Sequence, residues 1–177
     1  MRKLILGLFL LAMIFSTSLV RAQFNPYTDQ TKMVTAGIGF SGWGIPIFGR
    51  FEIGVAENIS VGGGISWQGY NETYTGVKWH HSIFGITGRG SYHFNELIEL
   101  PDEWDLYAGL GIGFLFTSST YKGTATPFDY DGSVPSDFFI DIHVGGRYFI
   151  NDKIGVNLEL GGGTGLSGGS IGVTFLL

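Results

Sequence analysis

Cysteine is absent from the 177-residue chain. Its absence excludes a disulfide framework, a thiolate metal site and a cysteine nucleophile. A lipid anchor on an N-terminal cysteine is excluded for the same reason. The chain therefore depends on packing, hydrogen bonds and ionic side chains for its stability and chemistry.

Charged residues are also scarce, at 14% of the chain, and the formal net charge is −5. Three of the 10 basic residues, Arg2, Lys3 and Arg21, precede residue 23, which leaves 7 basic against 15 acidic residues in 23–177, a net charge of −8. An acidic chain without a basic cluster lacks the electrostatic footprint of nucleic-acid binding. Nucleic acid is therefore excluded from the expected partners.

Long apolar runs are missing from the chain, apart from one near its start. Arg2 and Lys3 precede the apolar run Leu4–Ile14, and Val20-Arg21-Ala22 places small residues at positions −3 and −1 of a cleavage site. The run is shorter than the roughly 20 residues of a membrane-spanning helix. This pattern predicts a secretory signal peptide over residues 1–22 and a mature domain over residues 23–177.

Glycine is abundant, with 30 of 177 residues, about 17% against a usual share of roughly 7%. The glycines are spread through apolar segments whose hydrophobic residues recur with period two, which is the period of a β-strand. The last segment shows it, since Ile171, Val173 and Phe175 alternate with Gly172 and Thr174. Eight such segments are predicted, near residues 33–41, 46–55, 58–69, 80–94, 105–117, 138–150, 154–161 and 170–177.

An even number of strands, each about ten residues long, is typical of single-chain outer-membrane barrels. A soluble eight-stranded barrel would show the same alternation with its apolar face inward. Here the polar parity is rich in Gly and Ser, which suits the narrow interior of an eight-stranded barrel better than a water-facing wall. The sequence therefore predicts an all-β fold, an eight-stranded antiparallel up-and-down transmembrane β-barrel with its bulky apolar parity against lipid.

The few charges on the inward parity balance each other. Buried charges must be paired, because each unpaired ion costs several kcal/mol. The balance predicts a network of ion pairs in the lumen, and a narrow pore lined by the same residues is the alternative. The predicted lumen charge network comprises Arg50, Glu52, Arg89, Asp141, Arg147 and Glu159.

Connections of two kinds alternate along the chain. Residues 56–58 and 151–153 read as tight polar turns, whereas 70–79 and 118–137 are long and rich in Thr, Tyr, Asp and Gly. Outer-membrane barrels have short periplasmic turns and longer external loops. With both termini periplasmic, the two long segments are predicted to be external loops. Two features fit this orientation less well, because the external connections 42–45 and 164–168 are short and the periplasmic segment 95–104 is long and acidic.

Two aromatic girdles are expected at the strand ends, where the barrel meets the two membrane interfaces. The girdle at the outer edge is predicted to contain Trp43, Trp67, Tyr70, Trp79 and Phe116, and the girdle at the inner edge Tyr92, Phe94, Trp104, Tyr148 and Phe175.

The final strand resembles the assembly signal of outer-membrane barrels, which is met here by Ser170, Gly172, Phe175 and Leu177. Leu177 departs from the commoner terminal phenylalanine. Residues 91–95 and 147–155 are also similar to the strand-turn-strand pattern of the small porin-like or OmpA-like outer-membrane β-barrel family. The resemblance covers the mature chain and implies the barrel fold, together with barrel assembly machinery and periplasmic chaperones as partners during biogenesis.

Three short motifs in the sequence resemble catalytic or ligand-binding motifs, but each is incomplete. His80 and Ser82 have the spacing of a lipid A deacylase pair, with Glu72 or Asp137 as a conceivable orienting acid, but a surface histidine at a strand end is the better interpretation. Gly163–Gly168 matches G-x-G-x-x-G without the helix that dinucleotide binding requires. Residues 129–132 hold only a fragment of a calcium loop. No catalytic residue, cofactor or metal site is predicted.

These observations together predict a non-enzymatic integral protein of the cell outer membrane. Its expected role is surface contact or envelope integrity through external loops 70–79 and 118–137. The expected partners are outer-membrane lipid and lipopolysaccharide, with a host or surface ligand for the loops. A narrow pore is the first alternative, and a lipid A-modifying enzyme is the second.

Overall fold

The computed structural model describes residues 30–42, 44–74, 77–122, 136–164 and 167–177. These residues form one closed barrel of eight antiparallel strands in sequence order, as predicted. Within the described ranges, no helix is long and apolar enough to cross a membrane. The predicted signal peptide, 1–22, lies outside the described residues. The strands are β1 (Lys32–Ser41), β2 (Ile47–Ala56), β3 (Ile59–Tyr74), β4 (Val77–His93), β5 (Trp104–Lys122), β6 (Asp137–Asn151), β7 (Ile154–Gly163) and β8 (Gly168–Leu176).

Closure of the barrel joins the first strand to the last. Val34 of β1 pairs with Phe175 of β8, and the antiparallel ladder continues to Ser41 opposite Gly168. A closed sheet leaves no strand edge with unpaired N–H and C=O groups, which hydrocarbon would penalise by several kcal/mol per group. The ladder therefore makes a structure that lipid can surround.

Two ends of the barrel are distinguished by their connections. At the terminal end β1 begins, β8 ends, and tight turns at residues 57–58 and 152–153 join β2 to β3 and β6 to β7. In the second turn, Asn151 Oδ1 accepts bonds from the backbone N–H groups of Lys153 and Ile154, both at 2.9 Å. An asparagine that satisfies its own turn in this way favours a tight reversal. The opposite end carries the β3–β4 hairpin and is called the hairpin end.

The two parities of the strands face opposite environments. Leu110 is 61% exposed and Leu160 is 66% exposed on the outer wall, whereas the carboxylate residue Asp105 is 0% exposed inside. A soluble protein buries its large apolar residues and exposes its charges. The reversed arrangement confirms the prediction that the bulky apolar parity faces outward, and it fits a wall in contact with lipid.

Glycine is abundant because the interior has little room. A Cβ atom placed on Gly109, an inward position of β5, would lie 2.0 Å from the backbone oxygen of Gly90 on β4. At Gly49, an outward position of β2, nothing lies within 4 Å of such an atom. At these two positions the inward glycine is therefore required by sterics, and the outward one is not.

Aromatic residues form a row across the outer wall near the hairpin end. Trp67, Phe84 and Phe116 are register partners on β3, β4 and β5, and all three are exposed. Toward the terminal end, Trp104 packs on Tyr148 with ring centroids 5.0 Å apart. Both rows fit the girdles that amphipathic rings form at membrane interfaces.

Two predicted members of the outer girdle were assigned to the wrong face, because Trp79, two residues before buried His81 on β4, and Tyr70 both have the inward parity. Tyr70 stacks on the buried ring of His81 at 4.6 Å, on the inward side of β3 and β4. Its parity follows Gln68 rather than Trp67, because strand alternation continues without a break past the membrane boundary. Trp43 lies outside the described residues.

The prediction of a loop over 70–79 was also wrong in part. β3 continues to Tyr74 and β4 begins at Val77, so most of this segment is a strand hairpin. Similarly, 118–122 belong to β5 and Asp137 begins β6, while 123–135 lie outside the described residues. Thr, Tyr and Trp favour extended backbone, and the cross-strand hydrogen bonds form in water as well as in lipid. A polar segment was thus mistaken for a loop.

These extensions make the barrel wall uneven. β3, β4 and β5 have 16, 17 and 19 residues, whereas β1, β2 and β7 have 10 each and β8 has 9. Beyond the aromatic row at Trp67, the outer faces of the long strands turn polar. We call this part of β3–β5 the projecting sheet, and its outward side chains include Asn71, Thr73, His80, Ser82, Ser118 and Thr120.

The steric difference between inner and outer glycines is testable. Gly109→Ala should lower the free energy of unfolding by about 1–3 kcal/mol, the usual cost of overpacking, because its new methyl group meets backbone rather than a movable side chain. The measurement is urea unfolding of the detergent-folded barrel, followed by heat-modifiable gel migration. Gly49→Ala is the matched control and should unfold as the wild type does. Equal stability of the two variants would contradict the steric argument.

Candidate functional site

The lumen toward the terminal end holds a buried cluster of charges centred on Arg147. Its guanidinium donates to Asp105 Oδ2 at 2.8 Å and to a carboxylate oxygen of Glu52. The same guanidinium lies over the ring of Tyr107, 4.3 Å from the ring centroid. Its two terminal nitrogens are thus paired with carboxylates and its planar face with an aromatic ring. This geometry offsets the cost of removing three charges from water.

Asp105 extends the cluster across the lumen. Its Oδ1 lies 2.6 Å from Nδ1 of His93, and Nε2 of that histidine lies 2.9 Å from the hydroxyl oxygen of Ser60. We call Glu52, Asp105, Arg147, His93 and Ser60 the terminal-side network. All five side chains are buried.

Asp105 was missing from the sequence-based set of lumen charges. A signal for it was present, because Asp105 lies two residues before Tyr107 and shares its inward parity. Asp105 is the second residue of β5, where the alternation of inward and outward side chains has only begun. The structure therefore adds one acidic group to the predicted charges.

A second group of charges lies at mid-height and is centred on Glu159. Its carboxylate accepts bonds from Arg89 at 2.6 and 3.2 Å, and Arg50 Nη2 lies 3.0 Å from Oε1. The hydroxyl of Tyr107 donates to Glu159 Oε2 at 2.9 Å. We call Arg50, Arg89 and Glu159 the central network. One carboxylate thus serves two guanidinium groups and one phenol.

Tyr107 connects the two networks. Its ring packs under Arg147, its hydroxyl donates to Glu159, and it accepts a bond from Asn157 Nδ2 at 2.7 Å. Because each group fixes its neighbour, the networks form one continuous polar core.

Asp141 is the one predicted charge that the structure keeps apart from the arginines. Its Oδ2 lies 3.1 Å from Nδ1 of His143, and Nε2 of that histidine lies 3.0 Å from the Ser91 hydroxyl oxygen. Asp141 is the fifth residue of β6 and lies nearer the hairpin end than Arg147 on the same strand. The structure therefore brings together five of the six predicted charges, in two groups.

Large lumen side chains are matched with glycines on the neighbouring strand. Between β5 and β6, Tyr107 is the register partner of Gly145, and Gly111 is the partner of Asp141. A Cβ atom on Gly111 would lie 2.0 Å from Asp141 Oδ1, and one on Gly145 would lie 2.5 Å from the Tyr107 ring. The glycines thus create the space in which the polar side chains lie.

The terminal end of the lumen is closed by apolar packing. Met33 and Phe149 are buried against each other, with Leu176 packed on them. On the side of these residues toward the hairpin end, the terminal-side network occupies the cross-section of the lumen. Among the described residues, Met33 and Phe149 are at most 1% exposed, so solvent does not reach this layer, which disfavours the pore alternative.

The hairpin-end half of the lumen is more open. It contains a cavity of about 140 Å³ with Arg50, Arg89 and Glu159 among its lining residues. The Arg50 side chain is 15% exposed, against 2% for Arg147. Solvent therefore approaches the central network from the hairpin end and does not reach the terminal-side network.

The residues that resemble an assembly signal all lie on or beside the closing strand. Phe175 is exposed on the outer wall, Gly172 is buried on the inner side, and Leu177 is exposed just beyond β8. Ser170 faces inward beside Glu159, its register partner on β7. Their role in assembly stays a prediction.

The weaker motifs do not gather into a catalytic arrangement within the described residues. His80 Nδ1 lies 2.9 Å from Asn71 Oδ1, and Ser82 Oγ accepts a bond from the Trp67 indole at 2.9 Å. The carboxylate of Asp137 accepts a bond from the next backbone N–H instead. No group of three or more His, Asp or Glu side chains that could hold a metal occurs among the residues the structure describes. Residues 129–132 lie outside them.

A closed antiparallel barrel with an apolar outer wall, aromatic rows at both ends and an ion-paired lumen defines a transmembrane β-barrel. Comparison with solved structures assigns the fold more narrowly. The N-terminal β-barrel domain of Pseudomonas aeruginosa OprF matches with a TM-score of 0.55 and 12% identity, over 85% of this chain and 100% of that chain. Yersinia pestis outer membrane protein Ail matches with a TM-score of 0.51 and 10% identity, over 84% and 100%.

Neisserial surface protein A is also similar, with a TM-score of 0.50 and 9% identity over 82% of this chain and 94% of that chain. No protein-family model and no curated protein sequence matches the chain. At these identities the likeness establishes the fold alone. The chain has the fold of the eight-stranded outer-membrane β-barrels.

The terminal-side network generates a stability prediction. Arg147→Met should lower the free energy of unfolding by about 3–5 kcal/mol, because it leaves the carboxylates of Glu52 and Asp105 buried without a cation. Urea unfolding of the detergent-folded barrel measures the change. The triple variant Arg147→Met/Glu52→Gln/Asp105→Asn removes all three charges and should recover most of the loss. If Arg147→Met unfolds at the wild-type urea concentration, the ion pairs do not stabilise the lumen.

Proposed function

We propose that the chain is a non-enzymatic integral protein of the outer membrane that acts through its external segments, 70–79 and 118–137. The observation that carries the proposal is the projecting sheet. β3, β4 and β5 continue beyond the aromatic row at Trp67 with polar outward side chains, so this part of the barrel wall stands in water. A long structured extension into solvent offers a surface for contact with other molecules.

The proposed orientation follows from the connections. The terminal end carries both ends of the described chain and two tight turns, together with the longer β4–β5 connection at 94–103, whereas the hairpin end carries the extended β3–β4 hairpin and segment 118–137. Outer-membrane barrels place short turns in the periplasm and long segments outside. Export by a signal peptide over residues 1–22 would deliver the chain to the periplasm, so both termini of the barrel would stay there.

The proposed role is surface contact or envelope integrity. Neisserial surface protein A, one of the structures with the same fold, is named as a surface protein. The polar outward face of the projecting sheet would meet lipopolysaccharide headgroups at its base and a host or surface ligand farther out. Its tip includes exposed Asn71 and Thr73, which offer hydrogen bonds without a strong charge.

The two alternatives receive less support from the packing. A pore would need the terminal-side network and the Met33–Phe149 contact to open, and these side chains are buried. A lipid A-modifying enzyme would need His80 to activate Ser82, but their hydrogen bonds go to Asn71 and Trp67. The non-enzymatic surface role is therefore the function that the geometry supports best.

Shortening the projecting sheet tests this role. Residues 71–80 and 117–135 would each be replaced by Asn-Gly, a dipeptide that closes two-residue hairpins, so that the registers of β3 with β4 and of β5 with β6 are kept. The barrel should still fold and show heat-modifiable migration, because the apolar belt and the lumen are intact. Adhesion of cells to surfaces, or the sensitivity of their envelope to detergents, should change.

The control for this variant shortens the segment 97–100 at the terminal end, which should leave both cellular readouts at their wild-type values. A shortened barrel that reaches the outer membrane in normal amounts with unchanged adhesion and unchanged envelope sensitivity would contradict the proposal.

The assembly role of the last strand gives a separate prediction. Phe175→Ala should reduce the amount of folded barrel in the outer membrane several-fold, because the proposed signal for the barrel assembly machinery and its chaperones loses its aromatic residue. Phe114→Ala is the matched control, since Phe114 is also exposed on the outer wall but lies on β5. Both variants should refold equally well in detergent. Equal amounts of the two variants in membranes would argue against a specific signal at Phe175.

A further inference from the structure

The cavity in the hairpin-end half of the lumen is large enough for a small organic molecule. Its volume is about 140 Å³. An apolar protein cavity of about 150 Å³ holds benzene. The cavity therefore fits a ligand of about that size, and its lining determines the chemistry of the ligand.

The floor of the cavity carries more positive than negative charge. Arg50 and Arg89 share the single carboxylate of Glu159, at 3.0 Å and at 2.6 Å. Asp141 also lines the cavity, but its carboxylate lies against His143. The surplus acidic charge of the lumen, on Glu52 and Asp105, is buried in the terminal-side network and does not face the cavity. An anion on the floor of the cavity, beside Arg50 and Arg89, would therefore meet two guanidinium groups and the Glu159 carboxylate, while Asp141 is a second carboxylate elsewhere in the lining.

Two buried polar atoms at the cavity lack a hydrogen-bond partner within the described part of the chain. They are Nε of Arg89 and the hydroxyl oxygen of Ser170. Both residues line the cavity. A buried N–H donor without an acceptor is destabilising, so an acceptor supplied by a ligand is favoured. Nε and Oγ are both suited to a carboxylate oxygen.

The remaining wall of the cavity is largely apolar and aromatic. Phe48 and Phe139 line it together with Ile65 and Leu115. The Arg50 guanidinium lies over the Phe48 ring at 4.1 Å, which fixes the cation beside an aromatic surface. A fully hydrated inorganic ion would gain no binding free energy from these walls. An aryl or short alkyl group would gain it, because the walls would remove its apolar surface from water.

We propose that this cavity is a binding site for a small organic carboxylate whose carboxylate group contacts Arg89 and Arg50 and whose hydrocarbon part packs on Phe48 and Phe139. The site faces the hairpin end, from which solvent already reaches Arg50. Binding requires no passage through the terminal end of the barrel. The inference is independent of any contact made by the projecting sheet.

Sodium benzoate is the probe for this site, and the full mature chain folded in detergent micelles is the sample. Isothermal titration and the concentration dependence of the thermal unfolding midpoint both report binding. Benzoate should bind saturably and raise the midpoint, because a ligand of the folded state stabilises it. Benzyl alcohol, which has the same size without the charge, should bind about tenfold more weakly or worse, because it loses the charge-assisted hydrogen bonds.

Arg50→Gln should weaken benzoate binding by about tenfold or more, since it removes a charged donor but leaves the Arg89–Glu159 pair in place. Lys153→Gln is the matched control, because it removes one positive charge from the exposed turn at the terminal end. If Arg50→Gln fails to fold, Ser170→Ala keeps every charge and should still weaken binding by removing one donor.

Three results would overturn the proposal. The first is that benzoate and benzyl alcohol bind equally well. The second is that the Arg50→Gln and Ser170→Ala variants both bind benzoate as tightly as the wild type, and the third is that inorganic phosphate competes at concentrations like those of benzoate. The last result would mean that the site takes any anion and that the aromatic wall has no part in selection.

Discussion

The narrowness of an eight-stranded barrel is the constraint on which the rest of this structure depends. Eight strands enclose a lumen that side chains nearly fill. Several large inward residues therefore have a glycine beside them on the next strand. Tyr107 lies opposite Gly145, and Asp141 lies opposite Gly111. The unusual glycine content follows from this steric requirement, and so does the position of each polar side chain in the lumen.

Desolvation then determines how the enclosed charges are arranged. In the terminal-side network Arg147 lies between two carboxylates, and in the central network Glu159 lies between two guanidinium groups. Tyr107 joins the two sets through its ring and its hydroxyl. The result is a lumen whose terminal half is solid and slightly acidic, while its hairpin-end half is partly open and holds two arginines and two carboxylates. The unequal filling separates a structural half of the lumen from a half that a ligand could enter.

The outer wall obeys a different rule, because its environment changes along the strand. Apolar side chains cover the wall up to Trp67, Phe84 and Phe116, and the same strands then continue with polar residues. The hydrogen bonds between neighbouring strands form both where lipid surrounds the wall and where water does. The sheet can therefore extend into water as one rigid piece, and the projecting part is held in place by the barrel below it.

The sequence by itself determined the number of strands, their alternation and the direction in which each parity faces. These properties depend on local period two, which is read directly from residues such as Ile171, Val173 and Phe175. It also identified Arg50, Arg89 and Arg147 with Glu52 and Glu159 as inward charges. Local pattern was less reliable at strand ends, where Asp105 was missed and Tyr70 was assigned to the wrong face.

Only the tertiary structure decided which inward charges meet. Arg147 and Glu52 are 95 residues apart in sequence, and Arg89 and Glu159 are 70 apart. Their encounter depends on the stagger between strands around the closed barrel, which alternation along a single strand does not specify. The same stagger leaves Asp141 beside His143 instead of an arginine and leaves the cavity above Glu159. Period two is a property of each strand, whereas the chemistry of the lumen is a property of the closed ring.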